Sequence, residues 1–89
     1  MGAAPESTGN QAFVDATKEA VKLPKVPSND EKLKLYAYFK QGIEGDNTTA
    51  EPGFLDFVGK AKWKAWTDVK GMSKEEAQTK YIELVNSLK

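Results

Sequence analysis

Twice in this chain a serine stands three positions ahead of a glutamate: Ser28-Asn29-Asp30-Glu31 and Ser73-Lys74-Glu75-Glu76. In such a capping box the serine side chain and the glutamate side chain satisfy each other's free backbone donors, which fixes a helix start at that point. Both boxes lead into apolar residues at 3.6-residue spacing, and no Thr/Val/Ile alternation suggests a strand. A helix over residues 11–23 is predicted ahead of the first box, with Asn10 as its N-cap and Pro24 and Pro27 as its stop. On it Phe13, Ala16, Thr17, Ala20 and Val21 share a face. The second helix runs from the Ser28 box to about residue 43 and ends in the Gly45-Asp46-Asn47 turn signal. A third is predicted over 58–70, closed by Gly71. The fourth runs from the Ser73 box almost to the end, with Ala77, Tyr81, Leu84, Val85 and Leu88 in one stripe. Residues 47–56, holding Glu51-Pro52-Gly53, form an irregular loop long enough to serve a function.

Four amphipathic helices bury their stripes best against one another, so an all-α antiparallel bundle is the expected architecture. With 89 residues there is room for one core. A flexible tail over 1–10 and one domain over 11–89 are expected.

Composition narrows the function. There is no Cys and no His, which removes thiolate chemistry, disulfides, the usual general base and the commonest metal ligand. Asp46, Glu51 and Asp56 lie in one loop but lack the spacing of a calcium loop, so no metal site and no catalytic constellation is expected. Thirteen basic residues, all lysine, balance thirteen acidic ones, which disfavours avid binding to a nucleic-acid backbone. The first ten residues carry neither the charged nor the apolar region of a signal peptide. Met1-Gly2 opens a myristoylation motif, but Glu6 stands where that motif needs Ser or Thr. Asn47-Thr48-Thr49 fits a glycosylation acceptor, which without a secretory signal reads as chance. A soluble, cytoplasmic binding module is the expectation.

Helix two carries the most information. Leu33, Tyr36, Phe39 and Lys40 lie within about 120° of one another around the axis. Tyr36 and Lys40, one turn apart, can converge on one anion, with Phe39 as a flat flank for an aromatic ring. The same pattern also describes aromatics packed in a core beside a lysine bent out into water. In Lys60-Ala61-Lys62-Trp63-Lys64-Ala65-Trp66, Lys60 and Lys64 share one face, whereas Lys62 points to the side of Trp66 and Val69. A lysine there needs a counter-charge or a ligand anion, or else reaches an exposed rim along its stem. Tyr81 interrupts an apolar stripe, and its hydroxyl needs a partner if buried.

The runs Leu35-Tyr36-Ala37-Tyr38-Phe39-Lys40-Gln41, Gly45-Asp46, Pro52-Gly53, Lys60 to Trp66 and GMSKEEAQTKYI from Gly71 closely resemble the acyl-CoA-binding protein family. The similarity runs from about Phe13 to the end. It implies an up-down-down-up four-helix bundle that carries long-chain acyl-CoA without catalysis or cofactor, and makes 11–89 an acyl-CoA-binding domain. By resemblance, Tyr36, Lys40 and Lys62 clasp the 3′-phosphate of the CoA ribose, and Tyr81 assists at the nucleotide end. Phe13 is the family's early aromatic, Ala16 a small residue against which the nucleotide lies, and Leu33 an acyl-chain contact. Two positions depart from the family. Phe39 stands where Tyr is common, and Val21 where a Lys is common. Lys22 is adjacent but rotated about 100°. Val21 and Lys22 are therefore weaker candidates, and recognition is expected to lean on Lys40 and Lys62.

Two function classes follow. One is a monomeric carrier and pool former for medium- to long-chain acyl-CoA, with no nucleic-acid partner and no stable membrane insertion. The other is a small helical interaction domain that contacts nucleic acid or a protein partner through the Lys/Trp helix.

Overall fold

The structure, a computed structural model, describes residues 4–89. Met1 and Gly2, with the lipidation motif they open, lie outside the described residues. Four helices follow in order: α1 (Gln11–Ala20), α2 (Asn29–Glu44), α3 (Phe57–Asp68) and α4 (Lys74–Ser87). A short 3-10 turn, Pro5–Thr8, precedes them within the segment expected to be a tail.

The N-caps behave as the side chains dictate. The Asn10 side chain accepts from the Phe13 N–H, and Asp56 accepts from the Gly59 N–H. The Ser28 box closes in both directions. At Ser73 the forward bond from the Glu76 N–H is the one observed. Helix ends depart more from expectation. α1 stops at Ala20 rather than residue 23, because Pro24 cannot donate a helical hydrogen bond and biases Leu23 away from the helical region. The chain tightens instead, with the Lys22 N–H on the Glu19 carbonyl at 2.9 Å. Val21 therefore leaves the expected apolar face and is 83% exposed. α3 begins at Phe57 and ends at Asp68, with Val69 as its C-cap. Gly71 sits two residues further on at φ 92°, in the turn to α4 rather than at the cap.

α2 is the central element. It packs on α3 and on α4, α4 also packs on α1, and among the described residues α3 packs on no helix but α2. This arrangement leaves the faces of α2 and α3 open on one side. The core gathers Phe13, Ala16, Ile43, Tyr81 and Val85, with Phe39 and Leu35 half-buried against it. Phe13 meets Tyr81 edge-on at 5.2 Å between ring centroids, and Phe39 lies 6.1 Å from each. Such pairs contribute about 0.5–1.5 kcal/mol beyond burial.

Two glutamines hold the interior where apolar residues would be expected. Gln78 donates from Nε2 to the Gly42 carbonyl and accepts at Oε1 from the Asn10 amide, each at 2.9 Å. Gly42 lies in the last turn of α2, where carbonyls lack intrahelical partners, so Gln78 serves as a cap delivered from α4. A Cβ on Gly42 would stand 3.1 Å from Gln78 Cγ, so a side chain there would push Gln78 back by a few tenths of an ångström. Gln41, wholly buried, donates to Asp46 Oδ1 at 2.8 Å and to the Met72 carbonyl at 2.7 Å.

Candidate functional site

The loop between α2 and α3 is built against α3 by its own polar groups. The Trp66 indole N–H donates to the Gly45 carbonyl at 2.8 Å, and the Trp63 indole N–H donates to the Thr49 carbonyl at 2.9 Å. The Asn47 amide donates to Thr67 Oγ1 at 3.0 Å and to the Trp63 carbonyl at 3.3 Å. At the base of the loop, Asp46 Oδ1 accepts from the Gly71 N–H at 2.9 Å and from the Gln41 amide. These two bonds, the Gly71 one foremost, hold the Asp46 carboxyl below its ordinary pKa. The loop is thereby pinned through residues 45–49 and offers a wall against α3.

That wall closes a cleft of about 300 Å³ lined by Tyr36, Lys40, Thr49, Ala50, Pro52, Gly59, Lys62, Trp63 and Trp66. Tyr36 and Lys40 come from α2 and Lys62 from α3, so three of the residues singled out in the sequence converge. Lys62 Nζ stands 5.4 Å over the Tyr36 ring, and Lys40 Nζ stands 5.0 Å from the Trp66 ring centroid. Both are within the range of cation–π attraction. Lys62 thus reaches across to α2 rather than into the core, its charge at an exposed rim. Lys40 also pairs with Glu44, one turn on. Among the described residues these two ammonium groups are the only ones lining that cleft.

Lys62 also borders a second pocket, of about 390 Å³, with Asn29, Lys32, Leu33, Phe57, Val58 and Ala61. Its floor is apolar, and Phe57 and Val58 stay exposed, as do Phe54 and Leu55 just before them. The two pockets share Lys62. They form a trough in the sense that they abut there: one holds the Lys40 and Lys62 ammonium groups, the Tyr36 phenol and two indoles, and the other holds Leu33, Phe57, Val58 and Ala61 with Lys32 and Asn29 at its edge.

The remaining candidates lie elsewhere. Phe13 and Ala16 are buried, Tyr81 is 5% exposed, and Phe39 is half-buried on Phe13 and Tyr81. None of these four lines the two pockets. Phe13 and Ala16 present no surface to a ligand in this conformation, and their observed contacts are those of the core. Tyr81 differs, because among the described residues its hydroxyl has no hydrogen-bond partner, and burial pushes its pKa up to about 12. Val21 and Lys22 are exposed at the end of α1 and line neither pocket.

Several participants were not apparent in the sequence. Thr49, Ala50, Pro52 and Gly59 enter because the loop folds back on α3. Trp66 enters through its indole bond and burial. The length of the loop was the signal for the first group, and the Lys/Trp run for the second.

Residues 10–85 match the family described as Acyl CoA binding protein. The chain is 54% identical over 77 residues to Acyl-CoA-binding protein homolog 1 of Caenorhabditis elegans, covering 86% of this chain and 90% of that protein. It is 52% identical over 79 residues to the Acyl-CoA-binding protein homolog of Drosophila melanogaster, covering 89% and 92%. Among solved structures, that of Oryza sativa Acyl-CoA-Binding Protein 2 superposes with a TM-score of 0.84 at 41% identity, covering 88% of this chain and 87% of that one. The shared architecture is the four-helix bundle. With a family match over most of its length and relatives above half identity at nearly full coverage, the chain belongs to the acyl-CoA-binding protein family.

Proposed function

We propose that this protein binds medium- to long-chain acyl-CoA esters tightly, one per chain, as a monomeric cytoplasmic carrier. The family is one of non-catalytic binding proteins, and the chain is non-catalytic with them. The observation that carries the finer reading is the trough itself, in which a cationic cleft and an apolar pocket meet at Lys62. An acyl-CoA ester has the same division, with phosphates at one end and a hydrocarbon chain at the other. In this reading Tyr36, Lys40 and Lys62 take the 3′-phosphate of the ribose, with lysine as a compact point charge for an anion. Leu33, with Phe57, Val58 and Ala61 beside it, takes the chain. Each methylene moved from water into such a surface contributes about 0.8 kcal/mol, which makes affinity rise with chain length. Phe39 and Tyr81 back the nucleotide end, Tyr81 through its unpaired hydroxyl, and Phe13 and Ala16 support them from the core. Val21 and Lys22 take no part.

The nucleic-acid alternative is less well supported. Trp66 is buried and its indole N–H is bonded to Gly45, so it offers no free face for base stacking. Lys60, on the outer face of the same helix, is paired with Glu51 at 3.4 Å.

Calorimetric titration with palmitoyl-CoA, palmitate and free CoA tests the proposal. The expected result is one-to-one binding of the ester far tighter than either fragment. Lys62→Ala should weaken ester binding by about ten- to a hundredfold, the loss of one charge-assisted phosphate contact. Equal binding of palmitate and its CoA ester would overturn the assignment.

A further inference from the structure

Lys40 does not stand free in the cleft. Its ammonium is paired with the Glu44 carboxylate, and the two side chains are only 22% and 33% exposed. The same ammonium lies against the Trp66 ring, so indole and carboxylate both engage it. Glu44 also breaks a local rule. It occupies the last turn of α2, where the helix dipole disfavours a negative charge, and no basic residue shares that turn. Among the described residues its one cationic partner is the lysine assigned above to the ligand phosphate.

We propose that Glu44 competes with the ligand phosphate for Lys40 and so sets both the affinity and the charge selectivity of the cleft. This rests on the phosphate-clasp reading given above. A phosphate monoester brings a charge of about −1.5 to −2 near neutral pH. When it reaches Lys40 it either displaces the carboxylate or shares the ammonium with it. In both cases the Glu44 side chain stays rooted one turn from Lys40 on the same helix face, with the two Cα atoms about 6 Å apart along the axis. The cost grows with the charge on the ligand, so Glu44 penalises the 3′-phosphorylated ester more than the same ester without that phosphate. The preference that Lys40 and Lys62 create is thereby moderated, which favours a carrier that must release its cargo. The opposite role, a carboxylate that holds Lys40 in position for the ligand, makes a prediction of opposite sign.

The test compares the native chain with Glu44→Gln, using palmitoyl-CoA and palmitoyl-3′-dephospho-CoA at low and high ionic strength. Glutamine removes the charge and keeps the shape, and it also removes an unfavourable dipole interaction, so the variant should fold. The expected result is about three- to tenfold tighter binding of palmitoyl-CoA by the variant, shrinking at high salt, with the dephospho ester changed less than twofold. Lys40→Ala/Glu44→Gln should in turn bind palmitoyl-CoA more tightly than Lys40→Ala alone, because the single variant leaves the carboxylate facing the phosphate unopposed. Unchanged or weaker binding of palmitoyl-CoA by Glu44→Gln would overturn the proposal, and so would an equal gain for both esters. If the native chain itself binds the two esters alike, the phosphate clasp fails, and the competition falls with it.

Discussion

Replacing Gln78 is the sharpest test of how this bundle is held together. The side chain sits between three elements. It caps the Gly42 carbonyl in the last turn of α2 and receives the amide of Asn10, whose own oxygen caps α1. In Gln78→Leu the volume is nearly kept and both bonds are lost. The Gly42 carbonyl is then left buried without a donor, at a cost of about 1–3 kcal/mol. The Asn10 amide lies nearer the surface and can turn to water, so its loss adds only about 0.5–1 kcal/mol. Gln78→Ala adds a small cavity beside Gly42 and Phe13, bringing the total to about 2–5 kcal/mol. For a domain of this size that lowers the melting temperature by roughly 10–30 °C. Urea unfolding followed by tryptophan fluorescence reads the difference directly. A Gln78→Leu variant within about 0.5 kcal/mol of the native chain would refute the reasoning, since the carbonyl would then have to be hydrated or re-paired at no cost.

Tyr81 and Asp46 make opposite predictions with pH. The Tyr81 pKa is raised by burial from 10.0 to about 12, so the folded chain retains a proton that the unfolded chain gives up. Stability relative to Tyr81→Phe should therefore fall as pH rises from 10 to about 12, by about 1–2 kcal/mol once partial hydration of the hydroxyl is allowed for; parallel pH profiles would sink this. The Asp46 carboxyl is held below its ordinary value of 3.8 by the Gly71 N–H and the Gln41 amide, so it stabilises the fold when ionised. Its contribution is present above that value and disappears as pH falls through the lower folded pKa. The gap in urea midpoint between the native chain and Asp46→Asn should close on acidification below pH 4, and a gap independent of pH would count against the two hydrogen bonds.

Much of the fold was legible because its signals are local. The Ser28 box closes in both directions, Asn10 caps α1, and Pro24 ends that helix, each through atoms a few residues apart. Errors fell at helix C-termini, where no side chain in the sequence fixes the last turn. There Val21 left its predicted face and Gly71 lay beyond the cap. Gln41 and Gln78 were invisible for a different reason. On a helical wheel a glutamine looks like surface, and only a partner carbonyl from a distant element makes it interior.

The site divided in the same way. Tyr36, Lys40 and Lys62 were identified by residue type and spacing, and the tertiary structure brings them to one cleft. The sequence had also offered Phe13, Ala16 and Tyr81 as ligand contacts. Their aromatic and small side chains suit either a ligand or a core, and the structure buries Phe13 and Ala16. Which ammonium faces which acid was likewise undetermined until α2 and its terminal loop were in place. The sequence by itself determined the helices, their starts, the absence of thiol and imidazole chemistry, and the family, because each depends on residue identity or on neighbours within a turn or two. The tertiary structure alone decided which polar groups are buried, how the loop is pinned to α3, and that Trp66 comes to lie against the Lys40 ammonium. Those depend on contacts between residues far apart in the chain, which residue identity does not encode one position at a time.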